Sequence, residues 1–363
     1  MDPQPSRTGK REMPRLQAKR VVIGVAITVA LVAGVVGLIG HVAEFSRIRD
    51  ALDRVELMWL LPAVGGRIAG YAGYVMAYRD VAAMRRGPIL SAWTATRIVA
   101  LGFGALVAAS AAGAIGVHWW ALHRAGCAGR SALRRVLGFN TLQWLTLGTF
   151  AAVAGLVAVL FDTVDVPTGM ALGWMCVVPV CVAAGSWVSS PTRIDRFTQV
   201  PDVARTVRAT PRALAHWAYT GLRIVLADAI GGLLYVREAV AHPTRHRAAV
   251  AGYVIYWTGD LLTLYSCAQA FGESLALVAL VLAYATGYVA TALPLPVGGA
   301  GGVDAAITLT LTAVGLPLAH ALLIAVTYRG VSFWLPIIPA LALLPTAPQL
   351  TRDLDELAGR SRA

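Results

Sequence analysis

Apolar residues run along the chain in long blocks, broken by short polar segments that carry most of the arginines. The blocks at 21–40, 57–78, 136–161, 170–188, 249–271 and 318–344 are each long enough to cross hydrocarbon as a helix, which takes about 20 residues. The first has no small-residue cleavage pattern after it, so it reads as an uncleaved span and not as a signal peptide. Residues 42–56 mix charges with Phe45, Ile48, Leu52 and Val55 at helical spacing, the pattern of an amphipathic helix on a membrane surface. Arg223, Asp228, Arg237 and Glu238 interrupt 213–240, which reads as an interfacial or partly immersed helix.

Two further blocks do not fit simple spans. Residues 91–117 are rich in small residues, with Arg79, Arg85 and Arg86 before them and Arg124, Arg130, Arg134 and Arg135 after. Arginine-bearing loops as a rule face the cytoplasm, so this segment reads as a re-entrant hairpin that enters and leaves on one side; the competing reading is an ordinary spanning helix with a basic loop outside. The block 274–315 is broken at ALPLPVGGAGGVD, residues 292–304. Two prolines remove backbone donors and four glycines remove steric restraint, so no continuous helix crosses it. Broken backbone at membrane depth persists only where it is buried in protein or lines a wet cavity, and transporter folds place binding sites at such breaks. The competing reading is a polar loop between two ordinary spans.

These patterns predict an all-α polytopic membrane protein of about six full spanning helices plus two re-entrant broken-helix hairpins entering from opposite sides. That arrangement is open to an inverted repeat, although the halves share no sequence identity. The expected organisation is a disordered basic tail at 1–20, one transmembrane domain at 21–345 and a second tail at 346–363. Composition agrees: 57% of residues are hydrophobic, 14% are charged and mean hydropathy is +0.66, which excludes an ordinary soluble domain. The net charge of +12 does not signal nucleic acid, because it sits in short loops between apolar blocks. Segments expected to be cytoplasmic hold 24 of the 31 basic residues, which predicts a multi-pass protein of the cell membrane with both termini cytoplasmic. Cys127, Cys176, Cys181 and Cys267 form no CxxC pair and read as small core residues, with no disulfide framework or zinc site. Trp59, Trp93, Trp119, Trp120, Trp187 and Trp334 fall near span ends and read as an interfacial belt.

The run PLPVGGAGGVDAAITLTLTAVGL, followed by AVTYRGVSFWLPIIPAL, resembles the C-terminal signature of the lysylphosphatidylglycerol synthase transmembrane-region family. Pro294, Pro296, Gly298, Gly299, Gly301 or Gly302, Gly315, Tyr328, Arg329 and Trp334 carry the match. Asp304 stands where that family usually has Glu, and Val297 separates proline from glycine. The resemblance implies a flippase-like membrane module that moves an anionic or polyprenyl-linked lipid between leaflets. Fewer than twenty residues follow Leu344, so the aminoacyl-transferase domain of the full synthases is not expected and neither is enzymatic activity. The implied partners are a membrane lipid and either a second copy of the chain or a lipid-modifying enzyme; no cofactor is expected. The alternative is a membrane-embedded enzyme, or its accessory subunit, acting on a lipid phosphate.

Flipping a lipid needs a polar path for the headgroup. Charges inside spans cost ~2.5–3.5 kcal/mol each and so face the interior with partners. Arg67, Arg97 and Arg329 are candidates to hold a phosphate bidentately; the other reading pairs each with Asp260, Asp304 or a carbonyl. Asp304 opens a helix after the glycines, either as an acid stabilised by the helix dipole or as a proton carrier or partner of Arg329. Asp260 has the same two readings. Pro296, Gly298, Gly299, Gly301, Gly302 and Tyr328 complete the candidate substrate-binding set. The amides of the glycine run can bind an anion. His242 and His246 lie in a basic loop without completing ligands, so no metal site is expected. No Walker A or GxSxG motif occurs, and no catalytic residue is assigned.

Overall fold

The computed structural model describes residues 55–161, 166–190, 192–198, 211–292 and 301–360, with Gly34, Gly37, Leu52 and Asp53, the side chains of 107–111 and 211–222 excepted. The tail 1–20, nearly all of the expected span 21–40 and of the surface helix 42–56, and Pro294, Pro296, Gly298 and Gly299 of the break lie outside the described residues.

Every regular element among the described residues is helical. In chain order they are α1 (Leu60–Ala83), α2 (Ala92–Arg124), α3 (Gly129–Phe161), α4 (Thr168–Val188), the short α5 (Ile194–Thr198), α6 (Pro211–Ala241), α7 (Arg247–Ala270), α8 (Leu277–Tyr288), α9 (Gly302–Ala313), α10 (Leu318–Arg329), α11 (Ile337–Leu343) and α12 (Ala347–Arg360). By length and composition α3, α4 and the near-continuous helical run Leu318–Arg360 can cross a membrane. The 24-residue helices α1 and α7 are about 36 Å long at 1.5 Å per residue, also enough to cross. The fold is an all-α polytopic membrane protein. α1 runs past the expected end at 78 because its charges find partners: Arg79 donates to the Leu90 carbonyl, and Asp80 accepts from the Ala249 amide and pairs with His246.

The centre of the bundle is the α1–α7 pair, which packs along most of its length. Glycine makes this closeness feasible. A Cβ on Gly66 would stand 2.7 Å from the Gly259 carbonyl oxygen, and one on Gly73 2.5 Å from that of Gly252. The helices therefore run antiparallel, with backbones touching, as small residues allow in membranes. The two contacts interconvert when α1 is shifted 186 positions along the chain. Gly66 then becomes Gly252, Gly73 becomes Gly259, and Gly70 becomes Tyr256, the residue whose carbonyl it already faces. The pair therefore has a local two-fold axis between Gly70 and Tyr256, as a closely packed antiparallel pair does.

Both expected hairpins are present. α2 is helical throughout yet folds back on itself. A Cβ on Gly102 would stand 2.8 Å from His118 Nε2, whereas sixteen residues of straight helix would separate these positions by about 24 Å. Tyr74 packs against both Phe103 and His118, which places the reversal near residue 110. The second hairpin is α8 and α9, each about 18 Å long and so too short to cross a bilayer core of about 30 Å. Gly287 lies against Ile307 and Thr310, so the two arms pack on each other. Shifted back by 186 positions the arms fall at 91–102 and 116–127, along the two arms of α2, so the hairpins obey the same relation as α1 and α7.

The remaining helices build outwards. α3 packs antiparallel on α4, with Gly155 against Ala171 and Gly148 against Val178, and on α6, with Gly138 against Gly232. α6 is thus docked on the bundle through α3. Its interrupting Asp228 is buried and held by Arg130 and Arg134 of α3. Residues 347–360 form α12, which docks on α2 through buried Leu350 and Leu354 and through two ion pairs, Arg97–Asp353 and Arg124–Asp355. Two side-chain expectations need correcting. Cys176 and Cys181 are exposed on α4, which touches the bundle along one side only, while Cys267 is buried as expected. Trp93 and Trp187 are exposed as belt residues would be, but Trp120 is a core side chain, drawn in where α2 packs on its neighbours.

Candidate functional site

Four ionisable side chains sit in the middle of this bundle, none more than 8% exposed: Arg67 of α1, Asp260 of α7, Asp304 of α9 and Arg329 of α10. They form two couples. Arg67 Nη1 donates to Asp260 Oδ1 at 2.6 Å. The other oxygen, Oδ2, accepts from Tyr328 Oη at 2.9 Å and from Tyr284 Oη, and the two hydroxyls lie 3.2 Å apart. Asp260 is therefore saturated by one cation and two phenols, as a buried carboxylate requires. The guanidinium of Arg67 also lies 4.7 Å from the Tyr71 ring centre and 5.7 Å from that of Tyr256, where ring quadrupoles favour a cation.

The second couple is anchored to the break. Asp304 Oδ2 accepts the Gly301 amide at 2.8 Å, closing the N-terminus of α9, and its Oδ1 lies 3.0 Å from Arg329 Nε. Gly301 has φ +79°, a left-handed backbone that glycine adopts without strain. Asp304 is thus both the helix cap and the partner of Arg329. Because Tyr328 and Arg329 are adjacent on α10, one helix holds both carboxylates, and the couples join into one chain from α1 to the mouth of the second hairpin. A π-helical turn, Gly330–Trp334, follows at once and sets Phe333 under the Arg329 guanidinium at 4.3 Å. Such turns re-aim side chains inside helices.

Of the residues read from sequence, the structure brings together Arg67, Asp260, Tyr328, Arg329, Asp304, Gly301 and Gly302, the first residue of α9. Arg97 stands apart, bound to Asp353 where α12 docks on the first hairpin. Pro296, Gly298 and Gly299 are outside the described residues. Tyr284 was missed because a tyrosine in an apolar run gives no sign of its partner. His246, free of metal expectations, pairs with Asp80 at 3.1 Å and lies 3.5 Å from Glu238.

Comparison with known families agrees with this architecture. The model of the lysylphosphatidylglycerol synthase TM region matches residues 21–340, which takes in both hairpins and both buried couples. No curated protein matches the chain. The broken second hairpin, the couples it carries and the extent of that match lead to one assignment: the chain belongs to the lysylphosphatidylglycerol synthase TM region family, a membrane family with a lipid-related function.

Proposed function

We propose that the protein moves an anionic or polyprenyl-linked lipid between the leaflets of a membrane. The observation that carries this reading is the chain of buried couples from Arg67 to Asp304. A bundle with a purely structural role gains little from it, since apolar residues of similar volume replace buried ion pairs at no loss of stability. A moving headgroup does use it. A lipid phosphate displaces Asp304 from Arg329, or Asp260 from Arg67, and each guanidinium keeps an anionic partner throughout. Asp304 retains the Gly301 amide when Arg329 leaves it. The reading favours a transporter over an enzyme, because the charges pair one to one and do not converge as a set of acids or histidines. The arginine distribution supports an orientation with both termini cytoplasmic, in the cell membrane we assign to it.

The test uses the purified chain in phosphatidylcholine vesicles carrying a fluorescent phosphatidylglycerol or a polyprenyl phosphate, with leaflet exchange read by a membrane-impermeant quencher. The wild type exchanges label faster than empty vesicles. Arg67→Met combined with Asp260→Leu keeps the fold and slows exchange by about tenfold or more, the kinetic equivalent of one lost charge-assisted hydrogen bond. Tyr284 and Tyr328 keep each other as partners in that variant. Wild-type exchange no faster than in empty vesicles with either lipid would overturn the proposal.

A further inference from the structure

A cavity of about 660 Å³ lies between α3, α4 and α6, away from the central couples. Its walls are apolar over most of their length, with Leu145, Val178 and Val236 facing in from the three helices. One end is polar: Ser186, Ser189 and Ser190 at the end of α4 meet Arg237 of α6. The opposite end is closed by Trp144 and Trp174. Trp174 Nε1–H donates to Thr286 Oγ1 at 2.9 Å, and Trp144 packs on Tyr288 at 5.5 Å, so that end abuts the first arm of the second hairpin.

Two groups at the polar end have hydrogen-bonding capacity to spare. Arg237 is exposed and donates from Nη1 to the Ser189 carbonyl at 3.1 Å, and among the described residues no carboxylate pairs with it. A guanidinium has five donors in a planar fork that matches a phosphate. The Ser190 hydroxyl oxygen is buried with no hydrogen-bond partner. A cation and an orphan hydroxyl at one end of an apolar cavity are complementary to an amphiphile whose head is an anion. The volume falls within the range of small-ligand sites, about 300–1,000 Å³.

We infer that this cavity binds a lipid with a phosphate headgroup, its chain along Leu145, Val178 and Val236 and its phosphate on Arg237 and Ser190. The inference depends on the transport reading for the purpose of the site but not for binding. In transport the site is a waiting position whose tryptophan end abuts the second hairpin.

The full chain in phosphatidylcholine nanodiscs containing phosphatidylglycerol, followed by native mass spectrometry of the extracted protein, tests it. The wild type retains phosphatidylglycerol in preference to phosphatidylcholine. Arg237→Gln lowers that retention by about tenfold, the scale of one lost charge-assisted contact. Gly185→Leu also lowers it: Gly185 lines the cavity and its Cβ would meet nothing within 4 Å, so the side chain fills the cavity without a clash. Ser190→Ala has a smaller effect in the same direction. In a Cys176→Ser background, maleimide labelling of Cys181, which lines the cavity, slows when phosphatidylglycerol is present and not when inorganic phosphate alone is added. Equal retention of the two lipids by the wild type, undiminished retention in both Arg237→Gln and Gly185→Leu, or equal protection of Cys181 by inorganic phosphate would overturn the inference. Binding and transport fail separately. Retention without leaflet exchange in the wild type removes the transport reading and leaves the site.

Discussion

The two sides of the central axis carry the same scaffold with opposite chemistry. On one side Asp260, Asp304 and Arg329 form buried charge couples around the second hairpin. The 186-residue shift that carries α1 onto α7 relates Asp260 to Tyr74, Asp304 to His118 within a residue, and Arg329 to Gln143. There the first hairpin meets an aromatic cluster: Tyr74 lies 4.8 Å from Phe139 and 6.3 Å from His118, and Tyr78 lies 4.8 Å from His118. The hairpins differ in step. The first is helical through its reversal and is strapped by α12, while the second is broken by proline and glycine and opens onto the charges. One unit has been tuned for closure and the other for polar contact, so the scaffold alone does not dictate a site; side-chain chemistry at equivalent positions does.

Substitutions at equivalent positions sharpen this contrast. Asp260→Ala strands Arg67 without its carboxylate in the core, which costs about 3–5 kcal/mol. The expected outcome is loss of the folded, monodisperse protein in mild detergent, seen by size exclusion. At Tyr253, the counterpart of Arg67 under the 186-residue shift, Tyr253→Phe removes only the hydroxyl bond to the Phe139 carbonyl at 2.6 Å, about 1 kcal/mol, and the protein stays folded. Equal losses would erase the distinction between a charged and an aromatic side.

Gly73→Leu strikes the axis itself. Its side chain meets the α7 backbone, and overpacking of this kind costs about 1–3 kcal/mol. Thermal unfolding should show a clear drop in Tm, while Gly65→Leu, one residue from Gly66 and with no atom within 4 Å of its Cβ, should show almost none. If both behave alike, α1 and α7 do not pack through this face.

At the break, Asp304→Asn and Asp304→Ala divide the two roles of the acid. Asparagine keeps an acceptor for the Gly301 amide, so Ala should lie about 1 kcal/mol below Asn in stability, the value of a helix cap. Both remove the anion from Arg329, so both should slow lipid exchange to the same degree. Exchange at the wild-type rate in Asn would confine Asp304 to capping.

The smallest effect is expected at the strap. Arg124 and Asp355 are 16% and 32% exposed at the side chain, and ion pairs that open to solvent contribute about 0–1 kcal/mol each. Asp355→Asn should leave global stability nearly unchanged while amides of α12 exchange hydrogen faster. Unchanged exchange would mean that Leu350, Leu354 and Asp353 hold the helix without it.

Much of the fold was legible because membrane insertion writes itself into composition. Apolar blocks marked α1, α3, α4, α7 and the run Leu318–Arg360, and the first hairpin was readable from charge on both flanks although no proline marks its turn. Mirrored glycines were a further signal, since Gly66 and Gly73 repeat the seven-residue spacing of Gly252 and Gly259. Within the site, Arg67, Asp260, Asp304 and Arg329 stood out because charge is rare inside spans. Tyr284 did not, and Asp353 looked like an ordinary acid of a polar tail. Both act through contacts across long stretches of chain, which no local pattern encodes. The partners of Asp228, which interrupts 213–240, were hidden for the same reason: its neutralising arginines lie on α3.

The two-fold axis has a consequence for the balance of states in the proposed transport cycle. Were the halves identical, exchanging their conformations would turn a shape open to one side into its counterpart open to the other, at equal energy. The resting preference is therefore set only by what the halves do not share. A solvent-exposed pair such as Arg124–Asp355, worth up to about 1 kcal/mol, biases such an equilibrium by about fivefold. α12 is then a counterweight on a balanced beam, and small changes far from the lipid path decide which face of the membrane the protein waits at.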